Sequence, residues 1–307
     1  MIITWLSGGL GNQMFQYAAG LALAERRRTT LKLDVSWFRE DPGLEAHNRY
    51  ALSCFNLTEQ FATQEEIERV RGVRLTRTER WSVAVAGALR LQHYARRHAE
   101  PGNWHQPPTF AFYPQFLEQP DPTYLNGMFQ SEKFFAGAAD LLRLHFTFRY
   151  PPTPEVAALA DRIRSGPSAA VHFRRGDYGR NATFAKEIGV LDLAYYQRAV
   201  RLLRERSPGA TLYIFSDDIE AVAREFTPSG PHEFVRCVKP WHAYDKIRLM
   251  SLCDHLAVAN STFSWWAAWL NAAPAKLIVA PEPWFDQSKH DASDVVPAGW
   301  IRLPRQG

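Results

Sequence analysis

Apolar positions open the chain as a short run, Ile2–Leu6. After Ser7-Gly8-Gly9-Leu10-Gly11-Asn12 they return at helical spacing through Met14, Phe15, Ala18, Leu21 and Ala22. Leu31–Val35 then alternates as a second strand and carries Asp34. A strand, glycine turn, helix and strand in this order predict the start of a parallel sheet. The middle is less regular: Tyr124–Phe129 predicts a strand and Glu132–Phe146 a helix, and prolines punctuate Pro101–Pro122. Pro151, Pro152 and Pro154 predict a stiff linker. Beyond it, helices over Glu155–Ser165, Leu193–Glu205, Ile219–Phe226, Tyr244–Leu252 and Phe263–Asn271 alternate with strands. The strands fall over Ala169–Arg174, Thr211–Phe215, near Phe234, over His255–Ala259 and over Lys276–Ala280. That alternation predicts an α/β fold with helices on both faces of a parallel sheet. The expected division is a domain over 1–150, a second over 151–285 and a tail over 286–307.

Composition narrows the class. A chain of 307 residues suggests about two domains. Hydrophobic residues at 46% and charged residues at 22% exclude a disordered chain, a collagen and a coiled coil. No apolar run approaches the ~20 residues of a membrane span; Trp81–Leu91 is broken by Ser82, Gly87 and Arg90. The formal net charge is +4, carried by 29 Arg against 7 Lys. Arginine favours bidentate anion contacts, and so mild an excess fits a local anion site better than a nucleic-acid groove. Cys54, Cys237 and Cys253 show no metal or disulfide spacing. Met1–Leu10 lacks the basic start of a secretory signal, so a cytoplasmic protein is expected.

In such sheets ligands bind at the carboxyl ends of the strands, where the unusual residues gather. Val171–Tyr178 reads VHFRRGDY: a strand ends in Arg174 and Arg175, then Gly176 and Asp177. Side chains alternate along a strand, but a turn at Gly176 would let both guanidinium groups reach one pyrophosphate. A surface Arg–Asp turn fits the spacing as well. Ser216-Asp217-Asp218 is a strand end and helix start, so capping competes with a role in binding nucleotide hydroxyls or ring N–H groups. Asn260-Ser261-Thr262 opens a helix with three capping residue types, of which one should cap. The free N–H groups there suit a phosphate. Trp265, Trp266 and Trp269 read as helix core. The segment Gly8–Gln13 imitates a dinucleotide fingerprint, with Asp34 after it, but Met14 stands where G-x-G-x-x-G needs glycine. Its glycines permit close backbone approach, and Asn12 and Gln13 offer amides. Asp245, at a helix start, reads equally as a cap. The arginines of Arg69–Arg97 read as a solvated face, with a basic membrane-surface segment as the minor alternative.

Taken together, GGLGNQMFQYAAG, VHFRRGDY, LYIFSDD and ANSTFSWWAAWLN resemble the bacterial α-1,2-fucosyltransferases of glycosyltransferase family 11. Gly127–Phe135 (GMFQSEKFF) and Met250–Asp254 are also similar. The resemblance runs from about residue 3 to about residue 285 and is loose over Arg69–Pro122. It implies a GT-B-like fold of two Rossmann-like domains facing across a cleft. The implied donor is GDP-β-L-fucose, held mainly by the C-terminal domain, with no metal or other cofactor. By resemblance Arg174 and Arg175 hold the β-phosphate, His172 lies near the guanosine, and Asp218 and Asp245 lie near the nucleoside and guanine. Asn260, Ser261 and Thr262 form the phosphate turn. Asn12, with Gly11 and Gln13, faces the donor phosphate and fucose. Family members carry a histidine near position 187, where this chain has Glu187.

The implied chemistry is inverting transfer of fucose to the 2-hydroxyl of a galactoside, in surface-glycan synthesis. Arg174, Arg175 and the amides of Asn260–Thr262 would stabilise the leaving group, with Asn12 facing the donor, and Asp177 would be the base or would orient the arginines. Glu187 and His172 are alternatives for that base. The acceptor is expected to be a galactoside or lipid-linked oligosaccharide, with peripheral contact at the inner face of the membrane and no nucleic-acid partner. An NAD-dependent oxidoreductase and a non-catalytic nucleotide-sugar or glycan-binding module stay open on the residues alone, as does a different sugar or linkage.

Overall fold

The computed structural model describes residues 1–40, 49–72, 104–107, 110–175, 189–237, 241–286 and 291–306. The opening apolar run forms β1 (Ile2–Trp5), and the helical repeat after the glycines forms α1 (Leu10–Arg27). α1 ends where Arg28 turns left-handed, at φ 53°, and its N–H closes onto Ala24 and Glu25. β1 pairs in parallel with β2 (Leu31–Asp34) on one side and with β4 (Thr123–Leu125) on the other, so that Ile3 faces both Lys32 and Tyr124. β3 (Trp104–His105) completes a parallel sheet ordered β2-β1-β4-β3. Short helices α2 (Trp37–Glu40) and α3 (Gln64–Arg71) follow β2; α3 starts on a Thr63–Glu66 capping box.

The stretch from 123 to 146 departs from its pattern. The strand stops at Leu125, and the chain then passes through a left-handed Phe129, φ 48°. The helix expected over 132–146 is two 3₁₀ turns, Glu132–Phe134 and Ala136–Ala138, followed by α4 (Ala139–His145). Gly137 interrupts the run, and Phe129, Phe134 and Phe135 are drawn into the core as separate anchors. Pro154 belongs not to a free linker but to the first turn of α5 (Pro154–Arg164), capped by Thr153.

The second half alternates as its pattern predicts. β5 (Ser168–Phe173), α6 (Leu193–Arg206), β6 (Thr211–Ser216), α7 (Ile219–Glu225), β7 (His232–Phe234), α8 (Ala243–Ser251), β8 (His255–Ala257), α9 (Thr262–Leu270) and β9 (Ile278–Glu282) follow in turn. β10 (Ile301–Pro304), in the expected tail, adds to β9 in parallel: Ile301 faces Val279. The sheet order is β10-β9-β8-β5-β6-β7, parallel throughout. The α/β, GT-B-like expectation thus has its two parallel sheets. Trp81–Leu91 and the arginines from Arg74 to Arg97 lie outside the described residues; Arg69 and Arg71 are in α3.

The strand order of the second sheet reverses at an internal strand pair, β5/β8. Loops leaving the carboxyl ends of such a pair diverge and open a crevice. A single apolar cluster joins the two sheets. Its centre is aromatic: Phe15 of α1 lies 4.5 Å from Trp265 and 4.9 Å from Trp266 of α9, and Phe135 stacks on Trp266 at 5.4 Å. Both tryptophans are fully buried, in keeping with the helix-core reading.

Candidate active site

Two helix N-termini meet where the sheets join. α1 begins after Gly9 and α9 after Ser261, and neither N-cap side chain bonds a helix N–H. Ser261, the residue at the cap position of α9, therefore does not cap with its side chain, and Asn260, Ser261 and Thr262 each have another partner. Asn260 donates to the Gly189 carbonyl at 3.0 Å. Ser261 Oγ accepts from Arg174 Nη1 at 3.2 Å, and Thr262 Oγ1 donates to Asn12 Oδ1 at 3.0 Å. Gly11 is required where the helices touch: a Cβ there would stand 2.6 Å from the Thr262 carbonyl carbon and 2.8 Å from the Phe263 nitrogen. Trp266 Nε1 donates to the Gly11 carbonyl at 3.0 Å and locks the contact.

This juxtaposition has an electrostatic consequence. Each helix N-terminus carries roughly +0.5 of an elementary charge. Two of them, with an arginine beside them, repel one another unless an anion lies between. Arg174 reaches this place because β5 and β8 are neighbours, so the ends of both strands open side by side.

The two adjacent arginines do not converge. Strand alternation persists past β5. His172 and Arg174 face the crevice, whereas Phe173 and Arg175 face the opposite side of the sheet, where Phe173 packs on Phe226 at 5.0 Å. Arg175 pairs with Glu225 of α7 at 3.1 Å, and its backbone N–H donates to Asp217 Oδ1 at 2.7 Å. The turn expected at Gly176, with Asp177 and Glu187, lies outside the described residues.

His172 is buried, with Phe263 alongside at 5.8 Å between ring centroids. Burial pushes its pKa down to about 3; Asp217 opposes the shift, and Lys246 and Arg174 add to it. Its Nδ1 is buried without a hydrogen-bond partner. The imidazole is therefore neutral at pH 7 and too weak a base to take a proton there.

The remaining candidates spread out. Gln13 is spent on backbone: its Nε2 donates to Gly8 and Arg49 carbonyls, both at 2.8 Å, and its Oε1 accepts from Ala51 N–H at 2.9 Å. Asp218 caps α7 through the Ala221 N–H at 3.0 Å. Asp245 is buried on α8, 3.9 Å from Arg248 Nε, and burial raises its pKa against the pull of Arg248 and His242. The structure thus unites Gly11, Asn12, Arg174, Ser261 and Thr262, flanks them with His172, and sets Arg175, Gln13, Asn260, Asp218 and Asp245 on other partners.

Two residues at the site escaped the sequence reading. Lys246, one position beyond Asp245, donates to the Ser216 carbonyl at 3.0 Å at the end of β6. Gln130 donates to Asn12 Oδ1 at 3.3 Å; its signal was present in GMFQSEKFF, which pattern alone placed in a strand and a helix. Among the described residues no group of His, Cys, Asp or Glu has a metal-holding arrangement, and no helix is long and apolar enough to cross a membrane.

Comparison with known proteins adds a family. The family described as Glycosyl transferase family 11 matches residues 112–304, more than half of the chain. An alpha-1,2-colitosyltransferase of Escherichia coli is 29% identical over 99% of both chains. A galactoside alpha-(1,2)-fucosyltransferase 1 of Saimiri boliviensis boliviensis is 27% identical over 48% of this chain and 42% of its own length. The solved fucosyltransferase NodZ from Bradyrhizobium is 14% identical over 87% of this chain and 92% of that one, with a TM-score of 0.45.

Proposed function

This chain belongs to glycosyl transferase family 11, and we propose that it is an inverting α-1,2-fucosyltransferase taking GDP-β-L-fucose as donor and a galactoside as acceptor. The observation that carries the reading is the meeting of two uncapped helix N-termini beside Arg174. A nucleoside diphosphate leaving group is the anion such a place stabilises best.

The chemistry follows from where charge grows. As the bond from fucose C1 to the β-phosphate oxygen breaks, negative charge builds on the diphosphate and positive charge on the sugar. Donors already aimed at that phosphate act without reorganising. The Arg174 guanidinium, the Ser261 hydroxyl and the backbone amides at the start of α9 are those donors, and Asn12 presents its amide from α1. The galactoside 2-hydroxyl attacks the opposite face of C1 and gives up its proton to Asp177. His172, held neutral by burial, supports the donor by hydrogen bonding. Arg175 ties the end of β5 to Glu225 and Asp217. In this reading residues 1–150 face the acceptor, residues 151–285 hold the donor, and residues 286–307 continue the donor side. The product is a surface glycan precursor, made in the cytoplasm at the inner face of the membrane.

A second donor has a specific observation behind it. The full-length Escherichia coli relative is a colitosyltransferase, and colitose is L-fucose without its 3-hydroxyl. The test is GDP release from GDP-L-fucose and from GDP-colitose against a panel of galactosides, followed by linkage analysis. Transfer from GDP-L-fucose to a galactose 2-hydroxyl is the expected result. GDP release from GDP-colitose alone would replace the sugar, and release from neither would remove the reading.

A further inference from the structure

One side chain at the site has no role in the chemistry above. Gln130 is 6% exposed and sits in the loop after β4. The parallel pairing of β1 with β4 brings that loop beside the Gly8–Asn12 turn. Phe129, just before it, is held left-handed at φ 48°, which is unfavourable for an aromatic residue. Its ring is anchored by Phe116 at 5.5 Å and Phe134 at 5.4 Å, and the Ser131 N–H closes on the Phe129 carbonyl at 2.8 Å. Gln130 is therefore the tip of a tight turn that the core holds in place. Backbone strain so maintained is characteristic of functional positions.

The tip aims at one atom. Asn12 Oδ1 accepts from Gln130 Nε2 at 3.3 Å and from Thr262 Oγ1 at 3.0 Å. A carbonyl oxygen has two lone pairs, so these bonds fill both. Turning the Asn12 amide over would set its NH₂ group against the Gln130 NH₂ group, whereas the Thr262 hydroxyl could accept from it, so Gln130 is the partner that selects the orientation. In the observed orientation Nδ2 lies over Gly8, where a Cβ would stand 2.6 Å from it, and it donates to no described group. Gln130 Oε1 is buried without a hydrogen-bond partner. The amide thus has one hydrogen bond, to Asn12, and leaves its own carbonyl unsatisfied, an arrangement unfavourable for folding alone.

We propose that Gln130 is a positioning residue, which with Thr262 fixes the Asn12 amide so that its NH₂ group faces the leaving diphosphate and the sugar attached to it. The inference rests on the donor-site reading of Asn12 given above. It adds that the amide is held from two places, the loop after β4 in the first sheet and the turn after β8 in the second.

The test is single-turnover GDP release from GDP-L-fucose with a galactoside acceptor, measured for the wild type, Asn12→Ala, Gln130→Met and the double variant. Gln130→Met is expected to slow the step about tenfold, the equivalent of one ordinary hydrogen bond, with donor KM changed less than about twofold. In the Asn12→Ala background it should add nothing, because Gln130 acts only through Asn12. Gln130→Leu also removes the donor and should lose as much, and it covers a Gln130→Met protein that fails to fold. A Gln130→Met rate within twofold of wild type, or a further tenfold loss on top of Asn12→Ala, would overturn the inference and leave the donor reading standing. If Asn12→Ala itself turns over at the wild-type rate, the reading of Asn12 falls and the inference with it.

Discussion

Gly11 and Thr262, 251 positions apart in the chain, meet so closely that a Cβ on Gly11 would lie 2.6 Å from both the carbonyl carbon and Oγ1 of Thr262. Through this contact the start of α1 is pressed against the start of α9. The place where the two sheets are fused is therefore also the place where positive helix ends gather.

Gly11→Ala tests that contact. The opposing atoms include backbone, which cannot swing aside as a flexible side chain would. The expected cost is about 1–3 kcal/mol of stability, seen as a lower melting temperature, together with slower transfer. Wild-type melting and turnover would mean that the helix ends separate freely.

Trp266 tests the lock on the same contact. Trp266→Phe keeps an aromatic ring against Phe15 and Phe135 but loses the bond to the Gly11 carbonyl. A loss of about 1–3 kcal/mol is expected from leaving that carbonyl unpaired. Trp266→Ala should cost about 3–5 kcal/mol through the cavity it leaves. Denaturant melts distinguish the two, and a Trp266→Phe protein as stable as the wild type would show that the hydrogen bond carries nothing.

Arg174 and Arg175 should behave unlike each other's twins. Arg174→Ala is expected to slow transfer about a hundredfold with melting little changed. Removing the partner of Arg175 by Glu225→Gln breaks a pair whose carboxylate side is half-exposed, so it should cost less than about 1 kcal/mol and leave turnover within about twofold. Near-normal turnover of Arg174→Ala would remove it from the site.

His172 sets an acid limit on stability. Its folded pKa is about 3 against an ordinary 6.5, so between those values the unfolded chain binds a proton that the folded chain does not. Its contribution is fully present above pH 6.5 and is lost as pH falls toward 3, by at most about 1.4 kcal/mol per pH unit. His172→Gln should flatten that limb in melts taken from pH 7 to pH 4. An unchanged slope would place the acid sensitivity elsewhere.

Much of this was legible in the sequence, and its limits are physical. Alternation of strands and helices from Glu155 onward predicted the second sheet because each segment keeps one period for its whole length. The 132–146 stretch misled because its apolar residues serve as anchors for two 3₁₀ turns and a short helix rather than as one helix face. The partners of Asn12, Arg174, Ser261 and Thr262 lie far apart in the chain, and only strand order brings them together. Adjacency made Arg174 and Arg175 look like a pair, whereas strand alternation sends them to opposite faces. Gln130 carried no periodic signal, since its place depends on a left-handed Phe129 that no pattern announces.

The most direct measurement is a crystal structure with GDP bound. The β-phosphate oxygens should lie within hydrogen-bond distance, about 3 Å, of the Arg174 guanidinium and the amides at the start of α9, with Asn12 facing them from α1. A diphosphate bound elsewhere, with Arg174 still on Ser261 and no anion between the two helix ends, would contradict the account.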